Sequence, residues 1–487
     1  MYRNYFTIAI RILLRNKLFS IINIGGLTIG LTAAFLIILF VKSEMSYDRW
    51  LPSYDNIYTI ETLSTPPARA PKVLSKTPLE IRAAIEKDFR EIESFTRFYA
   101  GTSPIIIDNN NFPEKSFRIE ETFFDVFQFP FKEGNAKSAL ALANTAVITE
   151  QLAAKYFPGQ SAIGKTLTVG ENDFNITGVL AEFTGKTHLD FEILLYDGPG
   201  ELDIDFIDWT SSRIYSYFTL IKSGNIDSLT EGAADFLNRN AFFAPESWQD
   251  YTPSDVMGLS FLSLPDIHLK AKGTNPISPN GSSTLVYGFI AIAALIMVMA
   301  SINFINLSTA NSSTREKEIA IHKVVGAKRS QLIIRYLTEA LSLVSIAFLF
   351  SLILTSLFAP LVFNWIGLID VEGTKLGFDF FIIAASSSVI TALLAGLYPA
   401  FHLSSKSLAS AFSGGRSNSP RAANFRLGLI FFQYTISIIL VIASCHFYLQ
   451  TRLATTMDLG FSDDNIVSYW GVSGAPDFTS QQALLDR

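Results

Sequence analysis

The chain has 487 residues, 49% of them hydrophobic and 17% charged, with a formal net charge of −6 and one cysteine, Cys445. An acidic balance gives no general surface for nucleic acid. One cysteine excludes an internal disulfide framework, so any exported domain must be held by an ordinary core.

The first element is basic. Arg3, Thr7, Arg11 and Arg15 recur every four residues ahead of the apolar run Leu18–Val41. Residues 1–17 read either as a cytoplasmic amphipathic helix on the inner leaflet or as a basic flank that sets orientation. Four more apolar runs follow: Leu285–Leu307, Ala340–Phe363, Phe380–Phe401 and Leu427–Leu449. Each of the five has 22 to 24 residues and no Asp, Glu, Lys or Arg. A helix rises about 1.5 Å per residue, so each can cross about 30 Å of hydrocarbon. The first run, 18–41, is too long for a signal-peptide core, and Val41-Lys42-Ser43-Glu44-Met45 offers no small-x-small cleavage site.

Charge sets the orientation. Arg3, Arg11, Arg15 and Lys17 precede the first run. Arg315, Lys317, Lys323, Lys328, Arg329 and Arg335 lie between the second and third, against Glu316 and Glu318. Lys406, Arg416, Arg421 and Arg426 lie between the fourth and fifth. Positive segments stay in the cytoplasm. The N-terminus is therefore expected inside. Residues 42–284, the loop around Asp370 and Glu372, and the tail after the fifth run are expected outside.

Residues 42–284 read as mixed α and β. Ile57–Glu61 and Phe95–Ile107 have strand character, and Thr77–Phe89 has helical periodicity. Arg213–Ile221 followed by Ile226–Leu237 repeats the strand-then-helix order. Thr166–Val169 and Asn175–Leu180 flank Gly170-Glu171-Asn172-Asp173, a hairpin signal. Asp108–Asn111 and Gly198–Gly200 are expected to be exposed loops.

Gly159–Thr166 spells the phosphate-loop pattern G-x-x-x-x-G-K-[ST]. A true phosphate loop needs a strand before it and a helix after it. Here the helical pattern, Glu150–Phe157, comes first and the strand pattern, Thr166–Val169, second. The segment is expected to be a decoy, a turn with a solvated Lys165. His188, His268, His322, His402 and His446 are scattered without metal-ligand spacing. No catalytic constellation, bound cofactor or metal is expected.

The most specific stretch is Asn306–Leu341: a span, a short charged helix, a glycine stop and a new helix. Thr314 suits a helix cap, Gly326 a C′ position, and Lys328 with Arg329 the carbonyl end. Ile319, Ile321, Val324 and Val325 are mixed with charges, so a free loop would leave them in water. Arg335 and Glu339 are spaced for a pair at the membrane interface, either simple local pairing or a conformational latch.

These residues resemble those of ABC-transporter permeases of the macrolide exporter MacB and FtsX type. Arg315-Glu316-Lys317-Glu318-Ile319 through Gly326-Ala327 looks like the family's R-x-x-E-I-x-x-x-x-x-x-G-A segment. Leu397-Tyr398-Pro399-Ala400 through Leu408 looks like its G-x-x-P-A close, and Thr149–Val169 is similar to an element of its periplasmic domain. His322 and Lys323 stand where an Arg-rich element is more usual. The resemblance implies an α-helical transmembrane bundle with a large α+β extracytoplasmic domain between the first and second spans. It implies a MacB-like periplasmic domain over 42–284 and an FtsX-like domain over 285–403. A coupling helix at 315–325 would dock a dimer of separate cytoplasmic ATPase subunits through Arg315, Glu318, Ile319, His322, Lys323, Val324, Val325 and Gly326. ATP would act through that partner, and the permease itself would not be an enzyme.

The implied function is export or extraction of a substrate such as an antimicrobial peptide, macrolide or lipoprotein across or from the bacterial inner membrane. A periplasmic adaptor and outer-membrane components are possible further partners. Two other readings stay open: an FtsX-like regulator of cell-wall hydrolases, and a peptide sensor signalling through an ATPase complex. Residues 404–424 read as a linker, 425–449 as a fifth span opening a second repeat, and 450–487 as the start of a second outer domain in a duplicated eight-span member.

The orientation is directly testable. A cysteine placed at Asn280 should label with an impermeant thiol reagent in cells stripped of their outer barrier, and one at Ser417 should not. Labelling at Ser417 contradicts the five-span arrangement.

Overall fold

The computed structural model describes residues 17–66, 69–107, 110–170, 172–200, 202, 209–243, 250–274, 276–310, 321, 323–366, 376–404 and 420–457. The expected amphipathic helix at 1–17 lies outside them except for Lys17, and so does the tail from residue 458.

Five helices are long and apolar enough to span a membrane. The first, α1, covers Lys17–Met45. The extracytoplasmic domain that follows contains twelve described strands: β1 Ile57–Ser64, β2 Lys72–Leu74, β3 Thr77–Pro78, β4 Ile92–Ile107, β5 Asn110–Ile119, β6 Phe131–Glu133, β7 Thr145–Thr149, β8 Thr166–Val169, β9 Asn172–Leu180, β10 Ile193–Tyr196, β11 Ser212–Leu220 and β12 Met257–Ser263. Its longer helices are α2 Ile81–Asp88, α3 Glu150–Tyr156, α4 Ile226–Asn240 and α5 Leu264–Lys270. The remaining spans are α6 Ser283–Ala310, α7 Arg329–Trp365, α8 Phe378–Ser404 and α9 Pro420–Thr456.

The strands form one mixed sheet in the order β12-β1-β11-β4-β5-β10-β7-β9-β6, with β2, β3 and β8 added at its sides. β11 is buried from Ile214 to Leu220, so both its faces are covered. Phe218 enters an apolar cluster with Ile85 of α2 and Leu229, Phe236 and Leu237 of α4. Tyr215 and Tyr217 point the other way, into a core of Phe98, Phe117, Phe123 and Phe127. Alternate residues of a strand face opposite sides, so one central strand serves two cores. α4 fits its place: the Asn225 side chain caps its Asp227 amide at 3.0 Å, and Leu229, Ala233, Phe236 and Leu237 form one buried stripe. Inside the domain Arg97 is nearly inaccessible; it is bound by Glu120 at 2.8 Å and by the Leu79 carbonyl.

Three elements depart from the sequence expectation. The helix begins at Ile81, not Thr77, because Thr77 and Pro78 pair with β11 as β3. Asn110 and Asn111 belong to β5, as tertiary pairing with β4 overrides their turn preference. The β8–β9 turn is tighter than expected: Asn172 and Asp173 are already in β9, and Gly170 takes a positive φ of 63°.

In the membrane bundle, α1 packs against α6 and α7, and α8 packs against α6 and α7. Gly26 and Gly30 let α1 approach α6 closely. A Cβ at Gly30 would lie 2.9 Å from that of Ala300, and one at Gly26 would lie 3.0 Å from the Asn303 amide nitrogen. Small residues one turn apart serve this purpose where lipid offers no hydrophobic driving force. Asn23 donates to the carbonyl of Phe19 in its own helix at 2.8 Å.

Residues 413–487 form a separate compact unit, which contains α9. That helix runs to Thr456, seven residues past the apolar run that ends at Leu449.

Candidate functional site

Chemistry-bearing side chains gather where α1 meets the sheet domain. α1 ends at Met45, and the chain turns through Asp48, which takes a left-handed φ of 62°. Asp and Asn tolerate that region better than most residues. The turn puts the fully buried Asp48 carboxylate against the segment before β10. One carboxylate oxygen, Oδ1, accepts from Thr187 Oγ1 at 2.7 Å and the His188 amide at 3.1 Å. The other, Oδ2, lies 2.8 Å from His188 Nδ1. The Asp48 amide donates to the Lys186 carbonyl at 2.8 Å, and the Trp50 indole donates to the same carbonyl at 3.1 Å. Gly185 sits beneath Trp50, where a Cβ would lie 2.8 Å from the ring.

His188 passes the contact inward. Its Nε2 is 2.7 Å from the hydroxyl of Tyr217 on β11. Burial pushes the Tyr217 pKa well above its usual value, and the Asp48 charge adds to that. Tyr217 therefore keeps its proton. His188 thus has Nδ1 within hydrogen-bond reach of Asp48 and Nε2 within reach of Tyr217, so both ring nitrogens face a polar partner.

Beside this relay a cavity of ≈ 20 Å³ is bordered by Thr59, Glu61, His188, Tyr215, Tyr217 and Asn280. That is room for about one water and too little for an organic ligand. Burial raises the Glu61 pKa, against the backbone bonds it accepts from Gly273 at 2.8 Å and Lys272 at 3.1 Å. Burial also pushes the Tyr215 pKa up, to about 12. Among the described residues no group of three or more His, Cys, Asp or Glu could hold a metal ion.

The second candidate region is the elbow. Arg315, Glu318, Ile319 and His322 lie outside the described residues. Lys323 and Val324 are helical, and the amides of Val325 and Gly326 bond back to Ile321 and Lys323. Gly326 closes the turn at a φ of 92°, the left-handed conformation that a helix stop requires. Ile321, Val324 and Val325 are 60%, 65% and 82% exposed. Lys328 and Arg329 do not sit at a carbonyl end. They open α7, and the Gln331 side chain accepts from the Lys328 amide at 3.0 Å. Arg335 and Glu339 lie one turn apart on α7, with Glu339 buried.

Gly159–Thr166 follows α3 and runs into the first residue of β8, the reverse of a phosphate loop. The Gly164 and Lys165 amides are spent on the carbonyls of Ile176 and Ala162. Lys165 is held by Gln160 at 2.7 Å and over the Phe157 ring, so it is engaged rather than simply solvated.

The sequence reading did not single out Asp48, Glu61, His188 or Tyr217 as a unit. His188 stands 140 positions from Asp48 and 29 from Tyr217, and no local motif links them. The one available hint was Asp48 itself, an acid just past the end of an apolar run.

The fold is thus that of a multi-pass membrane protein whose outer sheet domain is fastened to the end of its first span. Residues 20–229 match the family model of the MacB-like periplasmic core domain, and residues 290–408 match that of the FtsX-like permease C-terminal domain. The chain belongs to the ABC transporter permeases of the MacB/FtsX family. It is 24% identical to the uncharacterized ABC transporter permease YvrN of Bacillus subtilis, over 70% of this chain and 83% of that one. It is 21% identical to the macrolide export ATP-binding/permease protein MacB of Mannheimia succiniciproducens, over 80% of this chain and 56% of that protein. The chain therefore spans about half the length of that curated MacB relative. A domain of a putative permease protein from Porphyromonas gingivalis aligns over 49% of this chain and 98% of its own, with 23% identity and a TM-score of 0.38.

Glu61 yields a pH test. Its folded pKa is raised, so the native state favours the protonated carboxyl. Its contribution is full at acidic pH and falls as pH rises through the raised value. Glu61→Gln keeps an acceptor for Gly273 and Lys272 and removes the titration. The variant's thermal midpoint should exceed the wild type's at about pH 8, with the gap closing toward about pH 4. A gap that does not change with pH contradicts the assignment.

Proposed function

We propose that this chain is the membrane subunit of an export complex, in which a separate cytoplasmic ATPase dimer drives movement of the extracytoplasmic domain. The N-terminus lies in the cytoplasm, and the membrane is the bacterial inner membrane. ATP acts through the partner. The substrate is taken from the extracytoplasmic side rather than through a wide pore.

The observation that carries this reading is the elbow. Ile321, Val324 and Val325 stand exposed on a turn that the basic flanks assign to the cytoplasm. Apolar side chains grouped there call for a covering partner surface. The elbow leads through Gly326 into α7, which packs against α1, so force on the elbow reaches the helix that carries the outer domain. Support also comes from the spans. The five apolar runs hold no Asp, Glu, Lys or Arg, so no charged translocation path is built into them. The names of the curated relatives, a macrolide exporter and a pyoverdine exporter among them, point to the same class of work.

The test is co-purification in mild detergent, followed by Ile321→Asp with Val324→Asp. Burying one such side chain is worth about 1.5–3 kcal/mol. The double change should weaken the co-purifying ATPase more than about tenfold and leave membrane insertion unchanged. An ATPase retained at normal stoichiometry, or no ATPase with the wild type, overturns the reading.

A further inference from the structure

The outer domain has two tethers: the chain leaves the membrane through α1 and returns through α6. Independent tethers would let the domain pivot on one while the other trailed. The structure brings three segments together at a single carboxylate–imidazole pair. Glu44 lies in the last turn of α1, and its Oε2 is 2.9 Å from His268 Nε2 on α5. Both side chains are nearly inaccessible. The His268 ring stacks on Tyr47 with centroids 3.6 Å apart and planes 8° from parallel. The Lys186 ammonium lies 5.4 Å from the centroid of that Tyr47 ring.

The third segment is the chain entering α6. The Gly281 amide donates to the His268 carbonyl at 2.8 Å, and α6 starts two residues later. A Cβ at position 281 would lie 2.7 Å from His268 Nε2 and 2.9 Å from Glu44 Oε2. Only glycine lets the backbone approach the pair this closely. Asn280 adds a bond from its side chain to the Ala271 carbonyl, just past α5. A buried pair of this kind tolerates little separation, because moving either partner strands the other away from water.

We propose that Glu44, His268 and Gly281 are positioning residues that lock the outer end of α1 to the entry of α6, so that both tethers move with the domain as one piece. The proposal gains its functional meaning from the coupling role above, but its geometry does not depend on any partner.

The test uses the full chain in lipid nanodiscs without ATPase, in a Cys445→Ser background. Nitroxides on genetically encoded ketone residues at Lys137 and Tyr287 report the distance from domain to α6. A second pair at Lys137 and Lys222 reports the domain alone. Wild type should give one narrow distance for both pairs. Glu44→Ala, His268→Ala and Gly281→Ala should each add a second population for the first pair and leave the second pair unchanged. The variant carrying Glu44→Cys with Gly281→Cys should behave likewise, and bridging its thiols with a short bis-thiosulfonate should restore the single distance. An unchanged first pair in all variants overturns the proposal. So does broadening of the second pair, or failure of the bridge to restore, since the residues would then hold the domain's fold rather than the joint. Loss of the coupling reading would leave these distances untouched, and loss of the joint would leave ATPase binding at the elbow untouched.

Discussion

One buried carboxylate fastens this protein's two environments to each other. Asp48 stands three residues past the end of α1, in a left-handed conformation, and accepts from Thr187 and from the His188 backbone and ring. Its own amide, together with the Trp50 indole, holds the Lys186 carbonyl. His188 then reaches Tyr217 on β11, the strand whose two faces feed both large cores of the domain. A carboxylate so buried is tolerated when donors in good geometry replace water, and three groups meet it here. The network therefore ties the end of α1 to the sheet through several directional bonds at once.

The membrane side answers with a different kind of contact. Gly26 and Gly30 bring α1 and α6 to within van der Waals range, and Gly396 of α8 approaches Ala340 of α7, where a Cβ would lie 2.9 Å away. Such surfaces hold by shape rather than by charge. The outer junction, by contrast, is built from directional hydrogen bonds. That division is what the coupling proposed above, of helix motion to domain motion, would draw on.

Much of the architecture was legible in the sequence. The five uncharged apolar runs fall on long helices, and the glycine stop at Gly326 appears where expected. These signals are local: length, periodicity and one conformational demand. Helix ends were less legible, because α7 begins at Arg329 with polar residues that no hydropathy window includes. The junction was not legible at all. Asp48, His188 and Tyr217 come from three distant segments, and only the sheet order, with β11 next to β1 and β4, brings them together. Thr77 was misread for a related reason: its helical periodicity lost to pairing with a strand 137 positions away.

The central claim is that the Asp48 carboxylate holds the domain on the span. Denaturation of the full chain in nanodiscs, followed by tryptophan fluorescence, tests it most directly, since Trp50 lies in the junction. Asp48→Ala removes three acceptor contacts and puts a less tolerant residue at positive φ, so the domain should lose about 2–4 kcal/mol. Asp48→Asn keeps the left-handed preference and one acceptor oxygen, and should lose clearly less. An Asp48→Ala chain that unfolds together with the wild type would contradict the account.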